Sequence, residues 1–255
     1  MSSRRWFVVP VLGAALAVVA ACSGQSTPAP ASAPATGPSS SSRPAPQAVN
    51  IPGALPGSQV ETAVKAAFSG ATAVHIKGTL TNSTGTLSLD LQLNKDNTAS
   101  GTISEGGAQI PLIAVNGKYY VQFTPQLISQ STNASVGQLG AALNNKWVSS
   151  DSSLASGMVA GLKPLLGFDS FVSSMFGQTS EVPTLTGTDV VNNLPVYTYE
   201  SADGSVVYVG KVGPHYLSRM TAPASGSGSL DFTGWNQPVP VTAPPASAIY
   251  TGPGA

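Results

Sequence analysis

The chain has 255 residues, with eleven basic and eleven acidic side chains and a formal net charge of zero. Only 9% of residues are charged, and they form no basic patch, which excludes a nucleic-acid-binding surface. There is one cysteine, Cys22, so no intramolecular disulfide can form and the fold must hold by its core.

The N-terminus reads as an export signal. Arg4 and Arg5 precede an apolar run from Trp6 to Ala21 that Pro10 interrupts. The run is 16 residues long, short of the ~20 a membrane span needs. Val19-Ala20-Ala21-Cys22 has the form of a bacterial lipobox: an aliphatic residue, two small ones, then cysteine. The small residues let a peptidase grip an extended backbone, and the cysteine thiolate is the nucleophile that takes the lipid. Residues 1–21 are therefore expected to be a signal peptide and Cys22 the lipidated first residue of the mature chain. Ser3-Arg4-Arg5-Trp6-Phe7 also resembles a twin-arginine signal, so the export route stays open. The expected location is the cell membrane, lipid-anchored and facing the extracytoplasmic side.

Residues 22–57 come next. Ser23 to Gly57 holds eight prolines in 35 residues and one charge, Arg43. Such a segment buries too little apolar area to offset its ordering entropy, so it is expected to be a disordered tether, dispensable for folding. The folded domain is expected over residues 58–243, with a flexible, proline-rich tail at 244–255.

Within the domain, Gln59–Ser69 has apolar residues at helical spacing. Ser58 is a candidate N-cap with Glu61 three residues on, and Gly70 a stop. The period then changes to two. Ala73–Leu80 alternates, and Gly85–Asn97 does so more clearly, with Leu87, Leu89, Leu91 and Leu93 on one side. Strands are predicted at Thr98–Ser104, Gln109–Val115 and Lys118–Phe123. Asn116-Gly117 marks a two-residue hairpin, because both positions need positive φ. Helical pattern follows: Val136–Leu143, then Ser152–Gly177, broken at Lys163-Pro164 and Gly167. Strands return at Thr184–Val191, Pro195–Ser201, Ser205–Gly210, His215–Thr221 and Ser229–Trp235, with Asp203-Gly204 as a second turn. The order predicts an α+β fold: a large antiparallel sheet that must curl, with helices on one face.

Catalytic constellations are scarce. His75 and His215 lack metal-ligand spacing to each other and read as surface or core-edge histidines. No nucleophile elbow, zinc motif or phosphate loop is present. Asp90 and Glu105 are the carboxylate pair able to meet across strands, though two solvated faces account for them more simply. No catalytic residue, metal site or cofactor is expected, and the chain is not read as an enzyme. The apolar supply stands out instead: Leu87, Leu89, Leu91, Leu93, Ile110 and Leu112 on strands, facing Met158, Leu162, Phe171 and Met175 on helices. These ten residues either line a ligand cavity or form a dense core.

The lipobox and tether, the passage "VETAVKAAFSGATAVHIKGTL" (Val60–Leu80), "VNGKYYVQF" (Val115–Phe123) and "GSLDFTGWNQPVPVTAPP" (Gly228–Pro245) together resemble the mycobacterial LppX/LprA/LprF/LprG lipoproteins, akin in architecture to LolA and LolB. The resemblance implies a half-barrel whose concave face, under its helices, encloses a hydrophobic cavity. It implies a lipid or glycolipid as ligand, carriage of that ligand through the envelope, attachment to the plasma membrane through Cys22, and a membrane transporter as a candidate partner. The gaps at Gly161, Pro164 and Gly167 depart from the family's helical region and leave the cavity's size and ligand open. The alternative reading is a cell-wall scaffold or adhesion module with a filled core and no ligand.

Overall fold

The computed structural model describes residues 43–82, 85–176 and 182–255. Cys22, the export signal and the first part of the expected tether lie outside the described residues.

Eleven strands form one antiparallel sheet that curves without closing, an α+β fold. The first five are β1 (Ala73–Asn82), β2 (Gly85–Asn94), β3 (Ala99–Glu105), β4 (Ala108–Val115) and β5 (Lys118–Gln122), a meander in chain order. After two helices comes a short edge strand, β6 (Trp147–Ser149), that the alternation did not reveal. The second meander is β7 (Thr184–Val191), β8 (Leu194–Glu200), β9 (Val206–Gly210), β10 (Leu217–Thr221) and β11 (Ser227–Thr233). The two halves join where β1 pairs with β11, from His75 opposite Thr233 to Thr81 opposite Ser227.

The predicted strand boundaries hold within two or three residues, because alternation and turn chemistry are local signals. Asn116 and Gly117 both take positive φ, 53° and 74°, as a hairpin of this type requires. The β7–β8 turn uses Asn192 and Asn193 in the same way, at 51° and 62°. Gly78 and Gly101 sit in strand interiors, where a Cβ would lie 2.0 Å from the carbonyl oxygens of Ser229 and Asp90. Only glycine lets neighbouring backbones approach so closely at these two positions.

Five α-helices are described: α1 (Gly57–Gly70), α2 (Pro125–Gln130), α3 (Ala134–Leu143), α4 (Ser156–Leu166) and α5 (Phe168–Phe176). The capping box expected at Ser58 does not form. The helix begins earlier, after Pro56, with no side-chain cap, and Ser58 is already inside it. Pro164 does not break the chain either, since α4 runs through it to Leu166. Gly167 is the true break between α4 and α5. Thr124 and Asn133 cap α2 and α3 by accepting hydrogen bonds from Leu127 N–H and Ser135 N–H.

One core lies between the sheet's inner face and the helices. Phe68 of α1 is its aromatic centre, with ring centroids 6.0 Å from Phe168, 6.2 Å from Phe232 and 4.6 Å from Trp235.

Both chain ends depart from expectation. The tether expected to run free to Gly57 is docked from Arg43 onward. Arg43 pairs with Glu200, and Val49 N–H donates to the Leu185 carbonyl at the β7 edge. Ile51, Ala54 and Leu55 pack on the core, and the buried Tyr199 hydroxyl donates to the Leu55 carbonyl at 2.9 Å. The tail expected to be flexible at 244–255 also folds back. Ile249 bridges Trp147 in parallel, Tyr250 N–H donates to the Trp147 carbonyl, and the Ser152 hydroxyl donates to the Gly254 carbonyl. An unclosed sheet has two edge strands with unpaired backbone groups, and each terminus covers part of one. That need outweighs the proline-rich composition of both segments.

Removing residues 43–56 from the full chain is thus expected to lower stability, against the sequence expectation of no effect. Tyr199→Phe, which leaves the Leu55 carbonyl without its buried donor, is expected to cost about 1 kcal/mol in urea unfolding. A wild-type midpoint in both variants would show that the segment does not contribute.

Candidate functional site

Alternation divides β1–β4 into two chemically distinct faces. The leucine stripe of β2 does point inward as a unit. Its burial is graded: Leu87 is half-buried, Leu89 is 4% exposed, and Leu91 and Leu93 are fully buried. Ile110 and Leu112 join the same inner face from β4, with Leu162 and Phe171 opposite them on α4 and α5. Met158 is partly buried against this cluster. The side chain of Met175 lies outside the described residues. Nine of the ten anticipated lining residues are therefore gathered into one inner cluster.

Part of this cluster is closely packed. A side chain beside a water-sized void keeps measurable surface, and Leu91, Leu93, Leu112 and Phe171 keep 1% or less. The gradient along β2 shows where closure relaxes. Leu80 and Leu87 face each other across β1 and β2 at one end of the sheet, and both are only half-buried. Partly buried Leu185, the second residue of β7, lies at that same end, and exposed Val182 lies just before the strand, against Gly57 at the start of α1. The opposite end is sealed by Phe68, Phe168 and Trp235.

The outer face carries two adjoining depressions that the sequence did not suggest. One, of about 600 Å³, is bounded by residues of β1–β4, including Lys77, Thr79, Ser88, Thr102, Ser104 and Gln109. The other, of about 500 Å³, lies between His75, Gln92 and Ser100 on the sheet and Gln237 to Val239 beyond β11. They share Asp90 and Gly101. Asp90 accepts from His75 Nε2 and Lys77 Nζ, each at 2.7 Å. The hydrogen bond from Lys77, and after it that from His75, holds the Asp90 carboxyl below its ordinary value.

The anticipated Asp90–Glu105 pair is not formed, because Glu105 lies opposite Leu87 while Asp90 lies opposite Thr102. Three residues separate Glu105 from Thr102, and an odd separation puts them on opposite faces. His215 is a turn residue at φ 57°, with Nδ1 3.1 Å from the Gly210 carbonyl oxygen. Among the described residues no His, Cys, Asp or Glu cluster has the makings of a metal site.

No family model matches the chain, and no curated protein matches it. Solved structures do. The chain is similar to the Mycobacterium tuberculosis lipoprotein LppX at 18% identity, covering 72% of this chain and 96% of that one with a TM-score of 0.44. It is similar to LprF from Mycobacterium bovis at 14% identity, covering 74% and 96% with a TM-score of 0.47. A LolA superfamily protein from Nitrosomonas europaea aligns at 8% identity over 78% and 99%, with a TM-score of 0.23.

Two outcomes are expected of this geometry. Leu91→Trp should overpack the inner face and cost about 1–3 kcal/mol; a wild-type unfolding midpoint would reveal room there. Asp90, its carboxyl pKa lowered by folding, adds stability that is present above the ordinary carboxylate range and lost as pH falls through its folded value. Asp90→Asn should therefore flatten the acid limb of the stability profile measured by urea unfolding. The effect should be small and salt-sensitive, because the group is half-exposed.

Proposed function

We propose that this chain is a membrane-anchored envelope lipoprotein that takes acyl chains of a lipid or glycolipid between its curved sheet and the helices, and carries them without catalysing a reaction. The observation that carries this reading is the graded inner stripe. It is apolar along its whole length, sealed at the Leu93 end and progressively open toward Leu80 and Leu87. An acyl chain entering at that end would replace contacts among apolar side chains with equivalent contacts of its own, at little net cost. The cover also suits displacement. It consists of helices no longer than fourteen residues, and α4 and α5 are separated by the single residue Gly167. The lipobox ending at Cys22 supplies the anchor: each buried CH₂ of an attached chain contributes ~0.8 kcal/mol, so two or three chains hold firmly.

A second reading has its own support. The near-complete burial of Leu91, Leu93, Leu112 and Phe171 equally suits a scaffold module whose filled core never opens.

Native mass spectrometry of the protein extracted gently from host membranes separates the two. The carrier reading expects a co-purified lipid beyond the covalent anchor, and a uniformly empty mass would overturn it in favour of the scaffold. Cys22→Ala should move the protein to the soluble or secreted fraction. If that variant stays in membranes as firmly as wild type, the anchor assignment fails.

A further inference from the structure

We infer that the outer face of β1–β4 is a second binding site, a groove for an uncharged sugar chain. This goes beyond the lipid reading, because it lies on the opposite face of the same strands. The two depressions join at Asp90 and Gly101 into one trough. Its floor is the sheet, and one side is formed by Gln237, Pro238 and Val239, held in place where the Asn94 side chain donates to the Val239 carbonyl at 2.8 Å.

Its chemistry is that of hydroxyl recognition. Ser100, Thr102 and Ser104 follow one another along β3 and Gln109 lies opposite Ser104 on β4, and their side chains have no hydrogen-bond partner among the described residues. On the β1–β2 side of the trough the hydroxyls of Thr79 and Ser88 are paired with each other, and beyond it Thr81 pairs with Thr86. Unpaired hydroxyls and amides in a fixed row offer both donors and acceptors at strand spacing, which suits the repeated hydroxyls of a sugar chain. Asp90, fixed between His75 and Lys77, adds a strong acceptor of set orientation. The exposed Pro238 and Val239 give an apolar wall for the carbon face of a sugar ring. Charge argues for an uncharged ligand: Lys77 and His75 both face Asp90 and the remaining lining side chains are uncharged, so a polyanion would find no spare cation in the trough.

The test is saturation-transfer NMR on the full-length mature protein, held in a detergent without sugar headgroups. The probes are free neutral oligosaccharides of glucose, mannose, galactose and arabinose, with a sulfated oligosaccharide as the charged counterpart. At least one neutral oligosaccharide should bind and the sulfated one should not. Ser100→Val with Thr102→Val keeps strand-forming residues at these partly buried positions while removing two hydroxyls, and should weaken binding about tenfold or more. Gln109→Ala with Gln237→Ala lies at the two ends of the trough and serves if the first pair disturbs the strand. Absence of binding by every neutral oligosaccharide, preference for the sulfated one, or unchanged affinity in both double variants would overturn the inference. Lipid content of the same samples, read by native mass spectrometry, should not differ from wild type, so failure of the groove and failure of the lipid reading remain distinguishable.

Discussion

The pairing of β1 with β11 is the constraint on which the rest depends. It joins strands from opposite ends of the folded region, and seven residue pairs hold it, from His75–Thr233 to Thr81–Ser227. Without it the chain would be two separate meanders, each with one more open edge. Closing so long a loop costs chain entropy that local contacts cannot return. The return comes from what the pairing assembles. Ile76 lies beside Phe232, and Phe232 meets Phe68 and Phe171 from two different helices. On the other face it sets Lys77 opposite Asp231, which is itself bound by Arg219 through two hydrogen bonds.

The same pairing makes each strand serve two environments. Inward residues form an apolar surface that runs from β2 through β1 to β11. Outward residues form a polar surface in which charges are compensated by near neighbours. A curved, unclosed sheet thus presents two faces of opposite chemistry, an apolar inner one and a polar outer one. The termini complete it: residues 43–56 lie against β7 and β8, and the C-terminal segment lies along β6. In both cases backbone hydrogen bonding at a sheet edge holds a segment whose composition alone gives little reason to fold.

Legibility differed by element. The leucine stripe, the Asn116-Gly117 turn and most strands could be read directly, because period and turn chemistry act over a few residues. The Asn192-Asn193 turn was less visible, since asparagine tolerates positive φ without requiring it. Pro164 was misread as a break. A proline removes one N–H, and its local disfavour was overridden by the burial of Val159, Leu162 and Leu166 along α4. The outer groove had no sequence signature at all, since its row of hydroxyls and amides is drawn from strands whose polar positions look like any solvated face.

The sequence by itself determined which side chains share a face, where the turns fall, and that Cys22 stands where a lipid anchor would. Each of these follows from backbone geometry over a handful of neighbouring residues. Only the tertiary structure decided that β1 meets β11, that both termini dock on the sheet edges, and that the inner stripe is packed closed at Leu93 and loosened at Leu80 and Leu87. The physical reason is that these features are differences between alternative long-range contacts. Burial and edge pairing settle them, and neither quantity exists until the distant segments have come together.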